Sequence, residues 1–315
     1  MLTYVGRRAL LAIPTLLGVS LVVFITIKII PGDPVATMLG PTGTPEAHAE
    51  LSARLGLDRP LPVQYVTWLL HAVTGDFGTS LSRHSDVGPI VSDALYNTLI
   101  LSAIAAVLAL LLGVGIGAFV ALRPHGIAAK IANSFSLVAI SVPQYSVGIL
   151  LIIWLSVNVG LFPSSGMYSP VGGGGLGDLL KHAALPAFTA ALVPAGIIAR
   201  MFRSSVRDVM SMDFVESLTA RGLPQRTVMR HVMHNTVPSL LTVAGLQIGY
   251  LLGGVIFVEA VFSWPGIGLL VYQSITQRDL PVIQAAVLVS AFAFVLLNLI
   301  VDVVQGLIDP RVRVA

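Results

Sequence analysis

Residues 98–122 read TLILSAIAAVLALLLGVGIGAFVAL, 25 positions without a charged side chain. A helix needs about 20 apolar residues to cross the hydrocarbon core of a bilayer. In lipid every backbone N–H and C=O must be paired within the protein, so a run this long and apolar is a helix. Small residues recur inside it at Ala105, Ala109, Gly113, Gly117 and Ala121. A spacing of four keeps them on one face, where small side chains let two backbones approach closely. Ala and Gly are also common throughout this chain, so ordinary composition is the competing explanation.

Working outward, five further stretches have the length and apolarity of a span: 9–30, 133–159, 183–203, 238–262 and 285–307. Pro143 falls in the third, and Pro186 and Pro194 interrupt the fourth; each removes a backbone donor and can kink a helix. Two more small-residue stripes appear, at Ala187, Ala191, Ala195 and Ala199, and at Gly245, Gly249 and Gly253. The expectation is an all-α polytopic membrane protein with about six transmembrane helices. Composition agrees: of 315 residues 55% are hydrophobic and only 10% charged, against roughly 25% charged in an average soluble domain. A soluble globular enzyme is therefore not expected, because so few charges could not cover its surface. The first stretch follows Arg7 and Arg8 as a signal peptide would. It is long for a removable segment, and Pro31-Gly32-Asp33-Pro34 is a poor cleavage site, so it reads as a retained helix.

Lys and Arg set the orientation. With the N-terminus inside, the inner segments hold Arg7, Arg8, Arg123, Lys130, Arg200, Arg203, Arg207, Arg221, Arg226, Arg230, Arg311 and Arg313, which is 12 of the 18 basic residues. The outer segments hold five: Arg54, Arg59, Arg83, Lys181 and Arg278. Both termini are expected in the cytoplasm of a cell inner-membrane protein. The net charge of +3 is therefore a topology signal, and nucleic-acid binding is not expected. With no cysteine, disulfides, thiolate nucleophiles and Cys-ligated metals are excluded. No H-E-x-x-H pattern occurs. None of the three lysines, Lys28, Lys130 and Lys181, follows a glycine, so the phosphate-binding G-x-x-x-x-G-K-[ST] loop is absent. The chain is expected to bind no cofactor and to catalyse no reaction itself.

Three regions are expected: residues 1–30 with the first span, an extracytoplasmic loop subdomain over 31–97, and a core over 98–315 that contains a cytoplasmic loop, 204–236. In the outer loop, Thr44-Pro45-Glu46 reads as an N-cap, a first-turn proline and a first-turn acid. The helix it opens should run to about Leu55 and stop at Gly56. A second helix should run from Pro62 to about Val73, with Leu61, Tyr65, Trp68 and Leu69 on one face, lying on the membrane surface. In the inner loop, Arg200, Arg203 and Arg207 recur at helical spacing and suit either lipid phosphate or a partner. Asp213-Phe214-Val215-Glu216 resembles a capping box, Gly222 stands where a C-terminal glycine would, and Pro224 blocks continuation. These signals specify a helix over 214–221, about 12 Å long. A helix so short is marginal alone in water, which points to a cytosolic partner.

Glu216-Ser217-Leu218, with Gly222 four residues on, resembles the E-A-A-x-x-x-G motif of permease subunits of ATP-binding-cassette importers, with Ser217 and Leu218 in place of the two alanines. The proline that follows in that motif comes late, at Pro238. Leu2-x-Tyr4-x-x-Arg7-Arg8, Gly18-Val19-Ser20, Pro31-Gly32-Asp33-Pro34, the run from Leu55 to Tyr65 and Gly75-Asp76-Phe77-Gly78 look like the start of a dipeptide, oligopeptide or nickel permease. The run from Glu259 to Gly268, Arg278-Asp279-Leu280-Pro281, the run from Asn298 to Asp302, and Asp309-Pro310-Arg311 agree. The likeness spans nearly the whole chain, and the long outer loop marks the first permease of the pair.

The resemblance implies a type I importer fold with a second homologous permease, cytosolic ATPase subunits that carry ATP and Mg, and an extracytoplasmic solute-binding protein. It implies that Asp213, Phe214, Glu216, Ala220, Arg221, Gly222 and Leu223 form the helix that couples to an ATPase, although Glu216 also suits a pure capping role. Polar residues inside spans are functional candidates by default. Asn298 and Asp302, one turn apart, suit either a translocation pathway or an interhelical hydrogen-bond pair. Glu259 suits either a structural or a gating role, and Gln247 and Gln144 pose the same question more weakly. An ion-gradient transporter would need acids at mid-bilayer and inverted repeats. The second to fifth spans hold no such acid, and no convincing repeat is evident. Whether the solute is a peptide, a nickel complex or another small ligand stays open at this point.

Overall fold

The computed structural model describes residues 2–29, 34–39, 44–54 and 56–308. Pro31-Gly32-Asp33, Leu55 and Asp309-Pro310-Arg311, used above, lie outside them. Among the described residues the chain is helical without strands. In order come α1 (Leu2–Ile29), α2 (Pro34–Leu39), α3 (Pro45–Arg54), α4 (Leu61–Val73), α5 (Val87–Leu122), α6 (Ile127–Ser141) and α7 (Gln144–Leu151). Then follow α8 (Leu176–Met210), α9 (Asp213–Ala220), α10 (Gln225–Gly254), α11 (Ile256–Val261), α12 (Ile267–Gln277) and α13 (Leu280–Ile308). The described residues form two compact units, one drawn from 2–5, 98–265 and 296–308, the other from within 6–97 and 266–295.

In the first unit α8 is the axis. Its Ala187, Ala191, Ala195 and Ala199 are buried, as are Ala105, Ala109, Gly113, Gly117 and Ala121 of α5. The two stripes meet. A Cβ added to Gly113 would sit 2.7 Å from Ile198 Cβ and 3.0 Å from the Ala195 carbonyl; at Gly117 it would sit 2.7 Å from the Ala199 carbonyl. Gly196 faces α6 in the same way, 2.7 Å from the Ser136 carbonyl. These stripes are therefore a packing seam rather than a by-product of composition. The third stripe is different. Gly245 abuts Val301 and Gln305 of α13, whereas Gly253 has open space around it.

The expected spans are redrawn in two places. The stretch 133–159 is broken: α6 and the continuation from Gln144 to Asn158 diverge by 110°. Pro143 causes the break, since it has no N–H to donate and holds Val142 in an extended conformation, φ −88° and ψ 133°. Beyond it, Ile152–Asn158 winds as a π-helix. The stretch 238–262 is divided where α10 ends at Gly254 and α11 begins at Ile256. Among the described residues four helices are long and apolar enough to cross a membrane, α1, α5, α8 and α13, or five if the bent pair counts as one. The stretch 183–203 lies within the unbroken 35-residue α8, where both its prolines are buried.

In the second unit Val87, Val91, Ile267, Leu270, Val282, Ala285 and Ala286 form a small apolar core. The loop helices follow their turn chemistry. Thr44 Oγ1 accepts the Ala47 N–H at 3.2 Å at the head of α3. Gly56 and Gly75 have φ +66° and +82° after α3 and α4, where an L side chain is strained. α4 leans on α1: Tyr65 and Trp68 gather around Phe24, with ring centroids 5.4 and 5.9 Å away. Tyr65 Oη is 2.8 Å from Ser20 Oγ, and Lys28 Nζ donates to Gln64 Oε1 at 2.6 Å.

Candidate functional site

Residues 213–223 form one local device. The helix spans Asp213–Ala220, one residue earlier than expected, and the capping box is not made. Met212 occupies the N-cap position in extended conformation without a side-chain bond. Asp213 and Glu216 lie inside the first turn, where their charges offset the helix dipole without capping it. The C-terminal end closes as a Schellman motif: the Leu223 N–H donates to the Leu218 carbonyl at 3.3 Å and the Gly222 N–H to the Thr219 carbonyl at 2.9 Å. Gly222 has φ +73° and open space where a Cβ would go, so backbone conformation alone demands glycine there.

The chain itself supplies the floor that so short a helix needs. Val215 is buried, and Phe214, Leu218 and Leu223 pack with it on Phe202, Val206 and Val209 of α8 and Val228 and Val232 of α10. Asp213, Glu216, Ser217, Thr219, Ala220 and Arg221 are exposed. Contrary to the expectation from its length, no partner is needed to hold this helix in place: α8 and α10 hold its apolar side, and only the polar side is bare. Of the three arginines at the base of α8, Arg200 and Arg207 are exposed. Arg203 instead turns inward and donates from Nη1 to Asn133 Oδ1 on α6, while its buried Nε has no hydrogen-bond partner.

The polar candidates inside spans lie on four helices, α7, α10, α11 and α13. Asn298 and Asp302 share a face of α13, both half-buried. Glu259, on α11, is fully buried and accepts a hydrogen bond from Thr98 Oγ1 of α5 at 2.7 Å. Its carbonyl accepts the Trp264 N–H at 2.9 Å, beneath the fully buried Trp264 ring. Gln247 is half-buried on α10, with its Oε1 buried and without a hydrogen-bond partner. Gln144 opens α7, just after the break, and is half-buried.

One residue has a part that sequence reasoning missed. Asp279 is buried between α12 and α13 and gathers four donors: Ser80 Oγ at 2.5 Å, Ser82 Oγ at 2.7 Å, and the Ser82 and Leu81 N–H groups at 3.0 and 3.2 Å. Burial alone pushes its carboxyl up, and the hydrogen bonds outweigh burial and hold it below the usual carboxylate range. It pins the loop that leads into α5. The run Arg278-Asp279-Leu280-Pro281 drew notice as a motif, but its partners lie nearly 200 positions away, and no local spacing reports such a pairing.

Residues 113–314 match the family described as binding-protein-dependent transport system inner membrane component, and residues 1–108 match the N-terminal part of such components. The chain is 37% identical over 314 residues to the glutathione transport system permease protein GsiC of Salmonella choleraesuis strain SC-B67, covering 99% of each protein. It is 35% identical to the oligopeptide transport system permease protein AppB of Bacillus subtilis strain 168, over 99% of this chain and 100% of that protein. It is 36% identical to the dipeptide transport system permease protein DppB of Alkalihalophilus pseudofirmus, over 99% and 100%. Its fold is similar to that in an inward-facing crystal form of the MetNI methionine ABC transporter, with a TM-score of 0.56 at 18% identity over 70% of this chain and 96% of that one.

Proposed function

The chain belongs to the family of binding-protein-dependent inner-membrane transport components, and from that membership we propose that it is one of two permeases of an importer for short peptides, driven by separate ATPase subunits that bear on α9. Peptide is the favoured solute because relatives alike over their full length carry glutathione, dipeptide and oligopeptide names. The single observation that carries the coupling role is the two-sidedness of α9. Its apolar side is committed to α8 and α10, and its polar side, with Asp213, Glu216 and Arg221, is bare. A soluble ATPase is the partner whose surface suits a charged two-turn peg. Ala220, Gly222 and Leu223 shape the end of that peg, and Phe214 roots it. Both termini lie in the cytoplasm in this reading, beside the ATPases, and an extracytoplasmic binding protein delivers the solute.

ATP can drive transport only through its different affinity for the two states of the assembly. Force on α9 reaches the floors of α8 and α10 directly, because Val215 and Leu218 sit in their apolar cluster. Asn298 and Asp302 line the solute's route and Gln247 offers an acceptor beside it, whereas Glu259 steadies the extracytoplasmic end through Thr98.

The test is the assembled transporter with Gly222→Pro. Proline cannot adopt φ +73°, and its missing N–H removes the bond to Thr219. Solute-stimulated ATP hydrolysis is expected to be lost while membrane insertion persists; unchanged stimulated hydrolysis would overturn the coupling role. Asp302→Asn is expected to lower uptake at unchanged thermal stability. Normal uptake with a lowered melting temperature would make Asp302 a packing residue instead.

A further inference from the structure

The apolar surface of α4 is wider than its contact with α1. Along the helix, Tyr65, Trp68, Leu69 and Ala72 are half-buried, with Tyr65 and Trp68 gathered around Phe24 of α1. Val63, Val66, Leu70 and Val73 recur at three- and four-residue intervals and form a second stripe beside the first. All four are exposed, at 43%, 53%, 62% and 78%. The remaining strip is polar: Gln64, Thr67 and His71, with Thr74 at the C-cap. A helix of 13 residues is about 20 Å long, too short to cross the hydrocarbon core. A broad apolar arc closed by a narrow polar strip is the profile of a helix lying in the membrane interface.

Depth along α1 says what covers the bare stripe. Phe24, the centre of the aromatic contact, lies five residues before the end of α1 at Ile29, about 7 Å along the helix axis. The Tyr65 hydroxyl reaches deeper still, to Ser20, inside the stretch Gly6–Thr26 that is long and apolar enough to cross a membrane. On α1, Leu17, Leu21, Val22, Ile25 and Ile29 are exposed, so the helix on which α4 leans also bares an apolar surface within a span-length stretch. Lys28 and Gln64, paired at 2.6 Å, mark the polar boundary above it.

We propose that α4 is embedded in the outer leaflet and that Val63, Val66, Leu70 and Val73 contact lipid acyl chains. The long outer loop is then anchored in the bilayer at two points, by the end of α1 and by α4.

The absence of cysteine makes the test direct. Val66→Cys, Leu70→Cys and Thr67→Cys, each carrying a nitroxide label, are compared in the assembled transporter in phospholipid nanodiscs. Collision with oxygen relative to a water-soluble nickel chelate is expected to be several-fold higher at positions 66 and 70 than at 67. Equal nickel access at all three positions would place the stripe in water and overturn the proposal. Shielding of 66 and 70 from both reagents would show a protein covering the stripe, and would overturn it equally. The unmodified chain gives an independent measurement. A diazirine-bearing phospholipid is expected to leave adducts within 63–73, and their absence while α1 is labelled would refute lipid contact.

Discussion

α9 and α4 have the same problem and solve it with opposite surfaces. Eight and 13 residues are too few for a helix to persist by itself in water. Each therefore lays an apolar side on longer helices, α9 on α8 and α10, α4 on α1. What each leaves bare differs. α9 presents Asp213, Glu216, Ser217 and Arg221; α4 presents Val63, Val66, Leu70 and Val73. A charged bare face suits a partner that can also live in water, and an apolar one suits a partner that cannot. On the two proposals above, these short helices face two different solvents, and the uncovered residues are what the proposals rest on.

That contrast can be broken most forcefully at Val215. Placing a carboxylate at this buried position, Val215→Asp, removes apolar contact and leaves a charge without a partner, which costs about 3 kcal/mol. α9 should leave its floor in most molecules, and solute-stimulated ATP hydrolysis of the assembled transporter should fall by roughly a hundredfold. A change smaller than tenfold would mean that the floor is not what holds α9. A milder blow to α4 is Tyr65→Phe. It deletes the hydrogen bond to Ser20 but keeps the ring contacts with Phe24, so a loss of about 1 kcal/mol is expected, read as a small drop in melting temperature in nanodiscs. A larger drop would mean that α4 depends on this one bond rather than on its apolar arc.

The smallest effect sharpens the picture at the far end of α4. Asp76 accepts from His71 Nδ1 at 3.0 Å and from the Gly78 N–H at 3.0 Å. The His71 bond, with the backbone bond next, holds its carboxyl below the ordinary range. A carboxyl depressed in the folded state contributes stability above its unfolded value, and that contribution fades as pH falls through the folded one. Proteolysis of the 74–79 turn should accordingly quicken on the acid side in the unmodified chain. In Asp76→Asn it should be faster at neutral pH and respond less to acid. An identical pH response in both would assign the acid sensitivity to another group.

How far the sequence carried depended on the range of each signal. Apolar runs, stripes at a spacing of four and glycine stops are local, and they placed α5, α8, the two loop helices and the Schellman close at Gly222. Even the short helix is shifted by only one residue, because Asp213 suits both the N-cap position expected of it and the first-turn position it takes. Local signals failed where distant atoms decide. The 110° turn at Pro143 was visible only as a proline, and Pro186 and Pro194 carry the same letter inside an unbroken helix. What separates them is packing: Pro186 and Pro194 are buried, while Pro143 is exposed. The four donors on Asp279 come from the other end of the chain, and no periodicity reports them.

The seam between α5 and α8 bears on how such a molecule could change shape. Where a Cβ would strike a carbonyl at 2.7 to 3.0 Å, the two main chains are in close contact, and sliding one past the other would cost that packing. Bending has to be taken up elsewhere, and two places offer it: the elbow at Val142-Pro143, and the end of α10, where Gly253 has empty space beside it. The stiff seam and the two joints thus sit on different helices, so a push at the foot of α8 would be expected to turn its neighbours about the seam rather than to stretch it.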